Sequence, residues 1–198
     1  MIVAGLTGSI GMGKSTTAAM FRRLGCPVYD ADATVHDLYK GEAVATIEAA
    51  FPGTTKNGQV DRKLLSARVL NDAVAMKLLE SIVHPLVRKS EQAFLERARA
   101  EGQQVVVLDI PLLFETGGEN RVDAVIVVTA SPELQRERVM AREGMTEEMF
   151  SAIVAKQVPD SEKRERAHFL VHTDHGIEAA ERQVADILRE LIGMTGKT

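Results

Sequence analysis

Eight consecutive residues carry the types and spacing for phosphate chemistry: Gly8-Ser9-Ile10-Gly11-Met12-Gly13-Lys14-Ser15. They fit the pattern G-x-x-x-x-G-K-[ST], a loop whose backbone N–H groups cradle a phosphate chain. The glycines let the main chain turn where a Cβ would clash and bring it close to an anion. Lys14 is long enough to meet β- and γ-phosphate oxygens, and the Ser15 hydroxyl suits Mg²⁺. A helix starting here would point its positive end at the same anion. Gly8, Gly11, Met12, Gly13, Lys14, Ser15 and Thr16 are therefore the candidate contacts to a nucleoside triphosphate, with Ser15 the candidate metal ligand.

Four further groups of residues could take part. Asp30-Ala31-Asp32 follows a short apolar run, and one of its carboxylates could accept a proton from an acceptor hydroxyl. An aspartate here is equally suited to capping a helix, and spacing does not choose between Asp30 and Asp32. Asp109 ends another apolar run; it reads either as a Mg²⁺-water ligand or as a carboxylate capping a turn. The segment from Pro132 to Arg142 places Gln135, Arg138 and Arg142 on one helical face, by steps of three and four. The guanidiniums of Arg138 and Arg142 suit phosphate oxygens or an adenine ring. His84, before Pro85, reads as a helix-start cap or an acceptor contact. His168, His172 and His175 lack a supporting cysteine or carboxylate cluster and are read as structural.

The neighbours of the loop narrow its use. The chain has no Asn-Lys-x-Asp guanine reader. Asp109 is followed by Ile110 and Pro111, not by a glutamate that would activate water, which favours transfer to a bound acceptor over hydrolysis.

The chain has 198 residues, 45% of them hydrophobic and 26% charged, with a net charge of -4. That suits one domain, residues 1–198, and argues against nucleic acid as the main partner. The one cysteine, Cys26, excludes an internal disulfide and fits a reducing, cytoplasmic setting. The apolar start runs straight into the glycine loop and reads as a core strand rather than a signal peptide. No run is long enough to span a bilayer.

Strands must alternate with helices to hold these residues. Ile2–Leu6, Val28–Tyr29, Val105–Leu108, Ala124–Val128 and Phe169–Val171 are apolar runs of strand length, as expected of a sheet buried on both faces. Thr16–Leu24 reads as a helix with Ala18, Ala19, Met20, Phe21 and Leu24 on its buried face. A final helix has Ile177, Ala180, Val184, Ile187, Leu188 and Leu191 at helical spacing. The expected class is α/β, a P-loop nucleoside-triphosphate-binding fold: a parallel sheet with helices on both faces. Two regions interrupt it. Residues from about 61 to 101 read as helices, with a longer one beginning after His84-Pro85. Residues from about 142 to 166 are polar and helical. These are natural places for an acceptor-binding insertion and for a lid.

Taken together, the motifs resemble the dephospho-coenzyme A kinase family over nearly the whole chain. The resemblance rests on Gly5-Leu6-Thr7-Gly8 leading into the loop, Asp30-Ala31-Asp32, Gly58-Gln59-Val60-Asp61-Arg62, His84-Pro85, Pro111-Leu112-Leu113-Phe114-Glu115, Gln135-x-x-Arg138 with Arg142, and Gln157. It implies transfer of the ATP γ-phosphate to the ribose 3′-hydroxyl of dephospho-coenzyme A, with Mg²⁺. It further implies Asp32 as catalytic base, Lys14 and Arg142 as catalytic groups, Arg138 and Arg142 as nucleotide contacts, and Arg62, His84, Leu112 and Glu115 beside Asp32 as acceptor contacts. A monomer is expected, with a homo-oligomer as the alternative. The competing readings are a nucleoside monophosphate or other small-molecule kinase on the same core, and a nucleotide-dependent switch with no acceptor. Two departures stand out. Met12 stands where the family often has a small residue. Ala167-His168 and His172-Thr173 stand where the family often has Ala-Asp and then Asn, which leaves the adenine contacts open.

Overall fold

The computed structural model describes residues 1–194. In chain order its elements are β1 (Ile2–Thr7), α1 (Lys14–Arg23), β2 (Val28–Asp30), α2 (Ala31–Leu38), α3 (Val44–Ala50), β3 (Thr55–Lys56), β4 (Gln59–Val60), α4 (Arg62–Val69), α5 (Ala73–Ala100), β5 (Val105–Asp109), β6 (Ala124–Thr129), α6 (Pro132–Met140), α7 (Glu147–Val154), α8 (Asp160–Glu165), β7 (Phe169–His172) and α9 (Ile177–Gly193). Among the described residues, 1–29 with 98–194 form one compact unit and residues 30–97 another.

The first unit is built on a five-stranded sheet of order β2-β5-β1-β6-β7. β1 lies parallel to both β5 and β6, and β6 parallel to β7. Every residue of β1, β5 and β6 is buried, which is why these strands read as unbroken apolar runs rather than alternating ones. On one face Ile2, Ala4, Leu6, Val105, Val107, Ala124, Ile126 and Val128 pack with Ala18, Met20 and Phe21 of α1 and Ala180, Val184, Ile187 and Leu191 of α9. Three residues expected on those helix faces are outside the core; Ala19 is half-buried. Leu24 is the C-cap of α1 and Ile177 the first residue of α9, and both are exposed. At a helix end the chain is leaving the face it would otherwise cover.

The second unit has its own core of Leu38, Ala43, Ile47, Phe51, Val60, Leu65, Val69, Leu79 and Val83. Its small antiparallel hairpin, β3 with β4, turns at Asn57-Gly58, both at positive φ. An Asn-Gly pair is the strongest short-range hairpin signal; the hairpin and α3 add to the elements the apolar pattern predicts, and α2 is the helix that the cap reading of the Asp30-Ala31-Asp32 segment implies. The break expected at His84-Pro85 does not occur: α5 runs from Ala73 to Ala100 with Pro85 inside it. The proline removes one backbone hydrogen bond. The apolar stripe nevertheless continues through it, since Leu79, Ile82, Val83, Leu86 and Val87 all pack in this core. Tertiary burial outweighs the local penalty.

Candidate active site

The glycine loop joins the carboxyl end of β1 to α1. Two glycines are required by geometry. A Cβ at Gly8 would lie 2.7 Å from the Val128 carbonyl oxygen. At Gly11, where φ is +81°, it would lie 2.6 Å from Val139 Cγ2 and 2.9 Å from the Gln135 carbonyl oxygen. No side chain caps α1, whose N-cap is Gly13. Its first-turn N–H groups are the orphan donors that any helix start must place on a partner.

Lys14 opens that helix, and its Nζ lies 2.5 Å from Asp109 Oδ1, the side chains being 15% and 4% exposed. Asp109 therefore has a role that neither of its two sequence readings included. Parallel pairing of β1 with β5, Leu6 opposite Asp109, brings the two together. Ser15 and Thr16 are exposed. Met12 turns its side chain into the core, where its sulfur accepts the Ala130 N–H at 3.2 Å. Its own N–H donates to Ser9 O and its carbonyl accepts from Thr173 Oγ1. The bulk of Met12 thus stays out of the loop.

The carboxyl ends of β6 and β7 and the start of α6 close around the loop. Ser131 caps α6 through the Leu134 N–H, with Pro132 at the first helical position, as their residue types favour. On the inner face of α6, Gln135 Nε2 donates to Ile10 O at 2.8 Å. One turn on, Arg138 donates to Thr173 Oγ1 and Thr173 O, both at 2.8 Å, and to Gly11 O at 3.5 Å. Arg142, just past the helix end, is exposed. The predicted face is thereby divided: Gln135 and Arg138 hold loop backbone, and Arg142 reaches solvent.

The polar segment after Arg142 is anchored at its far end. Gln157 Oε1 accepts the Ile10 N–H at 3.1 Å. Asp160 Oδ2 accepts from Thr129 Oγ1 at 2.8 Å. Glu115 Oε1 accepts the Val158 N–H at 2.8 Å and lies 2.9 Å from Lys163 Nζ, whose side chain is 0% exposed. Burial by itself would raise the Glu115 carboxyl, but the Lys163 ammonium and the Val158 N–H outweigh it and hold the group below its ordinary range. Glu115, expected at the acceptor, engages these two groups. Leu112 of the same turn is exposed, while Leu113 and Phe114 are buried and Arg166 stacks over the Phe114 ring. Nothing in the polar run around Lys163 marks it as buried, and sequence reasoning missed it.

His168 proves structural. Its Nδ1 accepts the Val125 N–H at 3.1 Å while its own N–H donates to Val125 O. An acceptor atom is what this position needs, and imidazole supplies it where the resembling family often has a carboxylate.

In the second unit Asp30 caps α2, accepting the Ala33 N–H at 2.9 Å. Asp32 lies in the first turn of that helix and is exposed. The structure gives the cap to Asp30 and leaves Asp32 exposed in the first turn. Arg62 opens α4 after the Asp61 cap, stands 5.9 Å from the Tyr39 ring centroid, and lines a shallow groove with Lys63, Ser66 and Asn71. His84 is exposed in the middle of α5, so it is not a helix-start cap.

Known proteins resemble this chain over nearly its whole length. Residues 1–179 match the family described as Dephospho-CoA kinase. The Dephospho-CoA kinase of Rhodopseudomonas palustris (strain HaA2) is 63% identical over 188 residues, covering 95% of this chain and 94% of that protein. Among solved structures, TT1252 from Thermus thermophilus superposes with a TM-score of 0.85 at 36% identity, over 98% of each chain. Dephospho-CoA kinase from Campylobacter jejuni superposes with a TM-score of 0.73 at 26% identity, over 96% of this chain and 97% of that one.

Proposed function

This chain belongs to the dephospho-CoA kinase family, and from that premise we propose how its own residues perform the reaction. The reaction is transfer of the ATP γ-phosphate to dephospho-coenzyme A, the last step of coenzyme A synthesis. Lys14 exchanges the Asp109 carboxylate for β- and γ-phosphate oxygens, while the loop N–H groups hold the phosphate chain. Ser15 and Asp109 offer hard oxygen donors, the set that Mg²⁺ takes; the ion would neutralise charge on the phosphates. Arg142 meets the transferring group when the lid, residues 142–166, closes over it. Arg138 contacts the nucleotide with the donors left beyond Thr173 and Gly11.

Asp32 orients the ribose 3′-hydroxyl and accepts its proton. Arg62, with Lys63 beside it, supplies positive charge for the acceptor's diphosphate, and His84 and Leu112 are further acceptor contacts. Glu115 acts through the backbone it anchors. The insertion, residues 61–101, carries the acceptor side. The working state is a monomer in the cytoplasm, and among the described residues no helix is long and apolar enough to cross a membrane.

The observation that carries the site reading is the loop–Lys14–Asp109 arrangement at the carboxyl ends of β1 and β5. A coupled ADP-release assay tests acceptor choice. Turnover with dephospho-coenzyme A should far exceed that with AMP or CMP, and the product should carry a new 3′-phosphate by ³¹P NMR. Equal turnover with a nucleoside monophosphate would replace this reading with the monophosphate kinase.

A further inference from the structure

Four consecutive peptide planes of the glycine loop are held from outside by side chains. The Ile10 N–H donates to Gln157 Oε1 at 3.1 Å. The Ile10, Gly11 and Met12 carbonyls accept from Gln135, Arg138 and Thr173 in turn. In a trans peptide the carbonyl and the following N–H point opposite ways. Fixing the carbonyls of Ile10 and Met12 outward therefore turns the N–H groups of Gly11 and Gly13 the other way, toward the cradle.

Three of these four holds come from the sheet ends and α6, which form the rigid frame. The fourth does not. Gln157 follows α7, at the point where the polar segment beginning at Arg142 returns to the core. It adjoins Val158, which Glu115 and the buried Lys163 anchor. The chemistry of the contact is one-sided. A backbone N–H can only donate, so Gln157 must present its oxygen there, as Gln135 must present its NH₂ to the Ile10 carbonyl.

We propose that Gln157 is a positioning residue for phosphoryl transfer: its amide oxygen fixes the Ser9–Ile10 peptide and so ties the shape of the phosphate loop to the segment that carries Arg142. This rests on the reading of the loop as the ATP site. Gln157 touches no reacting atom; it acts through the loop. Losing it lets the first held plane rotate and weakens the nucleotide's grip, while the acceptor side is unaffected.

The test compares Gln157→Met, which keeps chain length without an amide oxygen, and Gln157→Glu, which keeps an acceptor oxygen. ADP affinity is measured by calorimetry at 0.3 M salt, where the added charge is screened to within a few ångströms. KM for ATP and for dephospho-coenzyme A, and exchange of the Ile10 amide, are measured alongside. Gln157→Met should raise the ADP Kd and the ATP KM about tenfold, leave the acceptor KM within about twofold, and speed Ile10 exchange. Gln157→Glu should restore Ile10 protection and most of the affinity. If Gln157→Met fails to fold, Gln157→Ala, which adds no apolar bulk, carries the same comparison. Wild-type ADP affinity in Gln157→Met, or equal losses in the Met and Glu variants, would overturn the proposal. Wild-type protein that binds no ADP would instead overturn the ATP-site reading beneath it.

Discussion

Lys14 Nζ lies 2.5 Å from Asp109 Oδ1, and both side chains are largely shielded from water. The lysine proposed to serve phosphate in this loop thus has a protein anion as its partner. Breaking a shielded pair from one side costs more than removing both members, because the remaining charge loses its compensation.

Lys14→Ala should therefore do two separable things. It should lower kcat by about 10²–10³ or more, since charge on the transferring phosphate is no longer neutralised. It should also destabilise the fold by a few kcal/mol, measured by urea unfolding. Adding Asp109→Asn should recover most of the stability and none of the activity. Near-normal kcat in folded Lys14→Ala protein would remove the lysine from catalysis.

The two aspartates where β2 meets α2 should respond differently to the same change. Asn is as good a cap as Asp, so Asp30→Asn should leave kcat within a few fold. Asp30→Ala, which loses the bond to Ala33, should cost about 1 kcal/mol of stability. Asp32→Asn removes the proposed proton acceptor and should lower kcat about 10²-fold or more, toward the lower end because loose phosphoryl transfer needs little proton removal. MgATP binding should stay near wild type. Abolished turnover in Asp30→Asn beside an active Asp32→Asn would reverse the assignment.

Glu115 should show itself in acid. Its folded carboxyl is held below the ordinary value, so the folded state binds fewer protons than the unfolded chain in the acid range. Its contribution is present above the unfolded value, about 4.3, and is lost as pH falls through the folded value below it. Glu115→Gln should thus cost about 3–5 kcal/mol at pH 7, leaving Lys163 buried without its carboxylate, and the gap from wild type should narrow below pH about 4. A gap independent of pH in urea titrations would show that the pair does not carry this stability.

His168 supplies one acceptor to the Val125 N–H. His168→Asp preserves an acceptor and should be tolerated, with a thermal midpoint within a few degrees of wild type. His168→Phe leaves the N–H without one and should cost about 1–3 kcal/mol. Equal midpoints for the two variants would show that the ring acts by packing.

Much of the site was legible because its signals are local. A phosphate loop must place glycines where backbone comes close and a lysine one residue after them, so Gly8 to Ser15 can be read in one dimension. Strands buried on both faces announce themselves as apolar runs, and β1, β5 and β6 were found within a residue of their ends. The Asn57-Gly58 turn is a local signal of the same kind.

What the sequence could not decide depends on partners distant in the chain. Asp30 and Asp32 are chemically identical, and only the folded backbone shows that the first meets the Ala33 N–H. Pro85 argues locally for a helix boundary, and the core around Val83 and Val87 overrides it. Lys163 stands in a run of charged residues like any solvated lysine, yet it is buried against Glu115, 48 positions earlier by number. Gln157 and Gln135 take hold of the same residue, Ile10, from two parts of the chain. By itself the sequence determined which groups could do the chemistry, because reactivity belongs to residue type and short-range spacing. Only the tertiary structure decided which of them hold the others in place, because a hydrogen bond or an ion pair depends on distance in space, and distance in space is not ordered along the chain.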